Sequence, residues 1–341
     1  MSKEYTGYLK GVAILLMVFL HLFTNKETDV NLGFLLSIND TPLIYYLTRM
    51  CNPVPFFLIL SGYGLYTIYN KQGGGVKPCK RVSYLYFHLW VIYLLLLPLA
   101  SYIKPASYPG SFSTFIYNAT SWRCSYIGEQ WFFLPYILLM VCSKWVFRLC
   151  DWLKGYITIG AGLIVYGATI YCLKKYGESG LSFNMLFYNI FLTFYMLFPF
   201  LLGYCAKKYQ WIEKVNGIVT KRFSKKWIMP AFLLLILCIS RCFISHAAID
   251  PFYAIAFVVL FAIIPVTRGL GIVLSYLGKH SMNIWLIHTW FSNRLFHDFL
   301  YDTVHYPIIM YVGIILVSLA ISHIVELIYK PIGKYVNKMS S

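Results

Sequence analysis

Two cationic side chains, Lys10 and His21, sit eleven residues apart in one apolar stretch, Tyr8 to Thr24. Eleven residues is close to three helical turns, so the pair shares a face, separated by ~16 Å along the axis. Ionisable groups inside a helix of membrane grade are expensive and mark function by default. Lys10, near the end of the stretch, has a second reading as a snorkelling cation. His21 lies deeper and has two readings of its own. It is either a satisfied packing histidine or a general base, because imidazole titrates near neutrality.

Other residues carry chemistry at a second rank. In the block Gly278 to Phe291, Ser281 and His288 lie about two turns apart on one face, with Asn283 and Trp285 nearby. Such a polar stripe should face a bundle interior. His323 and Glu326, at i and i+3, form an expected pair. Lys77, Lys80 and Arg81 precede an apolar run, and a basic cluster at a helix N-terminus suits phosphate groups or simply a cytoplasmic loop. His88, in the same run, stays ambiguous. Ser61-Gly62 sits inside a run entered by Pro53 and Pro55, where small residues let helices approach closely. Glu129 stands just ahead of Trp131. Arg241, His246 and Asp250 mark one short polar segment; Arg294, His297, Asp298, Asp302 and His305 mark another. These segments either line an extracytoplasmic polar cavity or are solvated loops. Gly73-Gly74-Gly75 lacks the GK[ST] ending of a phosphate-binding loop and reads as a flexible linker.

The elements that must position these groups are helices in a membrane. The 341 residues are 59% hydrophobic and only 12% charged, against roughly 25% charged in soluble domains. Repeated apolar runs of spanning length make the chain an all-α integral membrane protein, a bundle of about ten transmembrane helices. The expected spans are approximately 8–24, 53–69 (or from near Leu43), 84–103, 131–149, 157–173, 185–205, 227–245, 251–266, 281–296 and 308–329, with a short interfacial helix over Gly269–Leu277. The first span lacks a small-residue cleavage site and reads as an uncleaved signal-anchor.

The net charge of +17 would suggest nucleic acid in a soluble protein. Here most Lys and Arg fall in alternate short loops, which points instead to the positive-inside rule, with N- and C-termini cytoplasmic and no nucleic-acid partner. The expected location is the cell membrane, multi-pass, in contact with lipid. The nine cysteines show no metal spacing, and most lie in apolar runs as soft hydrophobes; no metal is expected.

Four motifs recur in order. Lys10-Gly11-Val12-Ala13-Ile14 with His21, Val54-Pro55-Phe56-Phe57 with Leu60-Ser61-Gly62-Tyr63, Trp131-Phe132-Phe133-Leu134, and Leu277-Gly278-Lys279-His280-Ser281 with Trp285 to His288 together resemble the acyltransferase-3 family of membrane acyltransferases. The resemblance covers nearly the whole chain and implies a single transmembrane domain, residues 1–341, of the stand-alone branch. It implies O-acyl transfer, usually of acetyl from cytoplasmic acetyl-CoA, to a hydroxyl of an extracytoplasmic or lipid-linked glycan. The family's first span carries arginine, ten residues and histidine, which places Lys10 and His21 at matching positions. Its arginines before the third span fall on Lys80 and Arg81, with Tyr84 where a second arginine is expected. On this reading Lys10, Lys80 and Arg81 hold the CoA phosphates, and His21 is the base or forms an acyl intermediate. Glu129 orients the acceptor or His21, while Ser61, Trp131, Arg241, Asn283, Trp285 and His288 line the substrate channel. The competing class is a secondary transporter or glycan flippase, against which stand the lack of an internal repeat and of paired broken helices.

Overall fold

The computed structural model describes residues 1–24, 36–38, 41–74, 78–177, 185–222, 227–304 and 306–339, the last eight of these as backbone. Gly75, Lys77, Lys225, Lys226, His305 and most of residues 25–40 lie outside the described residues. The described residues are 84% helical. Its principal helices are α1 (Lys3–Phe23), α2 (Leu43–Thr48), α3 (Val54–Lys71), α4 (Cys79–Ile103), α5 (Phe112–Ala119), α6 (Phe133–Trp152), α7 (Gly155–Gly177), α8 (Met185–Lys208), α9 (Trp211–Arg222), α10 (Ile228–Phe243), α11 (Asp250–Phe261), α12 (Arg268–Thr289) and α13 (Pro307–Met339). A two-residue antiparallel pair, β1 (Ser37–Ile38) with β2 (Thr41–Pro42), precedes α2.

Among the described residues, six helices are long and apolar enough to cross a membrane: Lys3–Phe23, Cys79–Ile103, Gly128–Trp152, Gly155–Tyr176, Met185–Lys208 and Pro307–Pro331. The other expected spans fall on α3, α10, α11 and α12. Of these, α10 and α11 are shorter apolar helices, and α12 carries Arg268, Lys279, His280 and His288. The protein is thus a multi-pass helical membrane protein.

Two boundaries differ from expectation for physical reasons. The second span does not begin near Leu43. The prolines at 53 and 55 occupy the start of α3, where a missing N–H costs nothing, and they separate it from α2. No separate interfacial helix covers Gly269–Leu277; that stretch is the first half of α12. Gly278 does not break α12, because its bare face is needed. A Cβ there would stand 3.1 Å from the Gly7 carbonyl carbon and 3.2 Å from Gly11 N.

The chain divides into two compact units. The first comprises Met1–Ala13, Asn52–Lys77 and Phe132–Gly278. Within it α3 packs most extensively on α8. Gly62 lies against the Phe200 backbone and Gly203 against that of Ile59, so small residues let the two helices touch at their main chains. Buried polar groups here are tied together. Arg241 donates from Nε to Asp250 Oδ1 at 3.0 Å, and Asn52 Nδ2 donates to Asp250 Oδ2 at 2.6 Å. Asp151 accepts from Lys208 Nζ at 2.8 Å and from the Tyr204 hydroxyl at 2.9 Å.

The second unit comprises Ile14–Cys51, Pro78–Trp131 and Lys279–Ser341. Two tyrosines of this unit anchor the end of α1: Tyr301 donates to Leu22 O at 2.6 Å and Tyr311 to Leu15 O at 2.9 Å. The long loop between α4 and α6 is not simply solvated. Ser111 caps α5 by accepting from Thr114 N. The buried Asn118 side chain accepts from Ser125 N at 2.8 Å and Tyr126 N at 2.9 Å, which folds the loop back on itself. Burial pushes the Cys124 thiol in this loop up to about 12, so it stays an inert thiol.

Candidate active site

The second unit gathers three of the expected residues at one place. His21 occupies the last turn of α1, and His288 the last turn of α12. His21 Nδ1 and His288 Nε2 are 2.8 Å apart, with ring planes inclined by 19°. His288 is fully buried, and its Nδ1 lies 2.9 Å from both the Ile284 and Trp285 carbonyl oxygens. Glu129 stands in a 3-10 turn, Gly128–Phe132, and its carboxylate acts electrostatically on both imidazoles. Trp285 Nε1 donates to the Glu129 carbonyl at 3.2 Å, so the indole pins that turn to α12.

Directly after His288 the chain widens into a π-helical segment, Trp290–Leu295. Such turns are rare and collect at functional sites. Here Trp290 Nε1 and Ser292 Oγ, together with Glu129 Oε2, are buried without a hydrogen-bond partner among the described residues. An unsatisfied buried polar atom costs roughly 1–3 kcal/mol. Two of them, on Trp290 and Ser292, lie close in the chain, which fits a place where a polar ligand completes the set.

A second polar cluster lies on the same unit, five residues earlier along α12. Asn283 Oδ1 accepts from His88 Nδ1 at 2.7 Å, and Asn283 Nδ2 donates to Ser322 Oγ at 2.8 Å. Because the amide oxygen is an acceptor only, the His88 proton sits on Nδ1. His88 Nε2 is thereby a bare lone pair, buried and without a partner. His280 Nδ1 also reaches Ser322 Oγ, at 2.8 Å. Of the expected His323–Glu326 pair, Glu326 accepts from Tyr84 at 3.2 Å, and the His323 ring stacks on His280.

The remaining expected residues are placed elsewhere. Trp131 is half-buried in the same 3-10 turn as Glu129. Lys80 and Arg81 are exposed in the first turn of α4. Lys10 is exposed on the part of α1 that belongs to the first unit. Ser61, also in the first unit, lies 3.0 Å from the Tyr136 hydroxyl. Arg241 has its guanidinium committed to Asp250 in a buried pair, so its charge neutralises a neighbour within the first unit. Trp290 and Ser292 were not marked by sequence reasoning. The polar Thr289 and Ser292 shortly after His288 were the available signal, but the π-helical turn that buries Ser292 has no sequence mark. No group of three or more His, Cys, Asp or Glu side chains among the described residues could hold a metal ion.

This set of groups is suited to moving a proton at a hydroxyl: an imidazole held by a second imidazole, a carboxylate that acts on both, and two unpaired donors in the chain just after His288. Comparison with known proteins bears on the same chemistry. No curated protein and no solved structure matches the chain. The model of the acyltransferase-3 family, described as an acyltransferase domain, matches residues 4–326. Nearly the whole chain, including both helices that carry the paired histidines, therefore belongs to the acyltransferase-3 family of membrane acyltransferases.

Proposed function

We propose that the protein transfers an acetyl group from cytoplasmic acetyl-CoA to a hydroxyl of an extracytoplasmic or lipid-linked glycan, in the cell membrane. The observation that carries this reading is the part-buried His21–His288 contact, with the turn that carries Glu129 held to the same helix by Trp285. The loop charges support about ten crossings with both termini in the cytoplasm. That orientation puts the start of α4 inside and the end of α1 towards the outside. Lys80 and Arg81 then meet the donor's phosphates with charge-assisted hydrogen bonds. Lys10 adds positive charge on the cytoplasmic half of α1, ~16 Å below His21, a length on the scale of a pantetheine arm.

At the reacting centre, His21 takes the proton of the acceptor hydroxyl as its oxygen attacks the thioester carbonyl. The C–O bond forms, and collapse of the tetrahedral intermediate breaks the C–S bond. The leaving thiolate takes the proton back from His21, so an ester and CoA thiol result and the base is regenerated. The Glu129 carboxylate stabilises the imidazolium that exists between these steps. Trp290 Nε1 and Ser292 Oγ are unpaired donors of the kind that an oxyanion or a sugar hydroxyl requires. Membrane vesicles carrying the protein and given labelled acetyl-CoA at the cytoplasmic face test the reading. Label on an acceptor glycan with stoichiometric CoA release is the expected result. Movement of an unmodified solute with no CoA release would overturn it in favour of a transporter or flippase.

A further inference from the structure

The contact between the two histidines constrains where their protons are. His288 Nδ1 faces two backbone carbonyl oxygens, each at 2.9 Å. Carbonyls only accept, so Nδ1 carries the hydrogen and is shared between them. In neutral His288 the lone pair is then on Nε2. That lone pair points at His21 Nδ1, 2.8 Å away. Two bare lone pairs would repel at that distance, so His21 Nδ1 carries a hydrogen and donates it. The lone pair of neutral His21 is left on Nε2.

We infer that His288 is a positioning residue that fixes the tautomer of His21, and that Nε2 of His21 is the atom that takes the acceptor's proton. In imidazole pairs of this kind the hydrogen bond made by one ring nitrogen decides what the other can do. The backbone of α12 is the origin of the constraint: Ile284 O and Trp285 O set His288, and His288 sets His21. When His21 is protonated at Nε2, its Nδ1–H still donates to His288, and the bond becomes charge-assisted and stronger. The contact thus favours the imidazolium without competing for the incoming proton. Trp285 joins the two halves of the site, since its carbonyl orients His288 while its indole holds the Glu129 turn.

The role of Nε2 in acyl transfer rests on the function proposed above, whereas the tautomer itself does not, and the experiment separates the two. Protein labelled with 15N-histidine is examined by NMR in bilayers at a pH of about 8, above the ordinary imidazole range. The His21 signals are assigned by their loss in His21→Ala. Wild type is expected to show His21 with a protonated, pyrrole-type Nδ1 and a bare, pyridine-type Nε2. His288→Gln, whose amide oxygen can accept from His21 Nδ1, keeps that pattern, and His288→Leu loses it. In turnover assays His288→Leu lowers kcat on the order of 10- to 100-fold, the range of a hydrogen bond to a charged group. Its KM for acetyl-CoA stays unchanged, and His288→Gln recovers most of the rate. A wild-type His21 protonated at Nε2, or a tautomer unmoved in His288→Leu, overturns the inference. If His288→Leu does not accumulate, the wild-type spectrum decides alone. The expected spectra with no acyl transfer from any variant would sink the functional reading and leave the tautomer assignment standing.

Discussion

The two units treat buried polarity differently. In the first, Arg241, Asp250 and Asn52 close on one another, as do Asp151, Lys208 and Tyr204. The second also closes some groups, as His88, Asn283, Ser322 and His280 do, but it leaves more polar atoms open. Of the buried side-chain atoms without a hydrogen-bond partner among the described residues, all but the Tyr166 hydroxyl belong to it: His88 Nε2, Glu129 Oε2, Thr289 Oγ1, Trp290 Nε1, Ser292 Oγ and Ser318 Oγ. Each such atom weakens the fold, so a cluster of them calls for a compensating role. The first unit is a scaffold in which glycines bring backbones into contact and charges cancel. The second leaves six buried polar atoms open among the described residues. On the function proposed above, stability and proton transfer thereby fall on different sets of residues, a common resolution of the conflict between them.

Substitutions can break this contrast. Arg241→Ala removes one partner of a buried pair and strands Asp250, and it should destabilise the protein by ~3–5 kcal/mol. The measurement is the unfolding midpoint in detergent, with turnover per folded molecule unchanged. A folded variant with lost turnover would place Arg241 in the chemistry instead. Glu129→Gln keeps the side chain's shape and removes its charge. It should leave the unfolding midpoint near wild type and lower kcat by roughly 10- to 100-fold, the worth of about 1.5–3 kcal/mol for interactions with a charged group. An unchanged kcat would remove Glu129 from the site. Ser292→Ala deletes a hydroxyl that has no partner to lose. Stability should hold or rise by up to about 1 kcal/mol, while kcat/KM for the acceptor falls. A clear loss of stability would show that Ser292 belongs with the scaffold.

Much of this arrangement was legible in the amino-acid sequence, and the limits have physical causes. The apolar runs show the helical membrane class because a bilayer demands internal satisfaction of every backbone group. The Lys10 to His21 spacing marked α1, and the Ser281 to His288 stripe marked the buried face of α12, since helical periodicity is a local property. What periodicity cannot show is which stripes meet. His21 and His288 are 267 positions apart in the chain, and nothing local pairs them. Arg241 reads as one member of a polar segment with His246 and Asp250, and the family resemblance makes it a channel residue; that its guanidinium closes on Asp250 is a tertiary fact that no spacing shows. The expected interfacial helix over Gly269–Leu277 is instead the first half of α12, because the packing of Gly278 against Gly7 and Gly11 is not visible locally. The His88 cluster stayed ambiguous for the same reason: a lone histidine in a span takes its meaning from Asn283, on another helix.

The His88 cluster also sharpens what is distinctive about His21. Both rings have a fixed tautomer and a bare Nε2, but the His88 ring is held by an amide, whereas His21 is held by a second imidazole with a carboxylate acting on both. The Glu326 carboxylate acts on His88 as Glu129 acts on His21, so what sets His21 apart is the second imidazole, a polarisable partner for an added proton. The account therefore rests on His21 as the base. The direct measurement is label transfer from acetyl-CoA to acceptor in vesicles carrying His21→Ala at wild-type abundance and with a wild-type unfolding midpoint. The account predicts no transferred label and no CoA release above the rate of empty vesicles; transfer at the wild-type rate would contradict it.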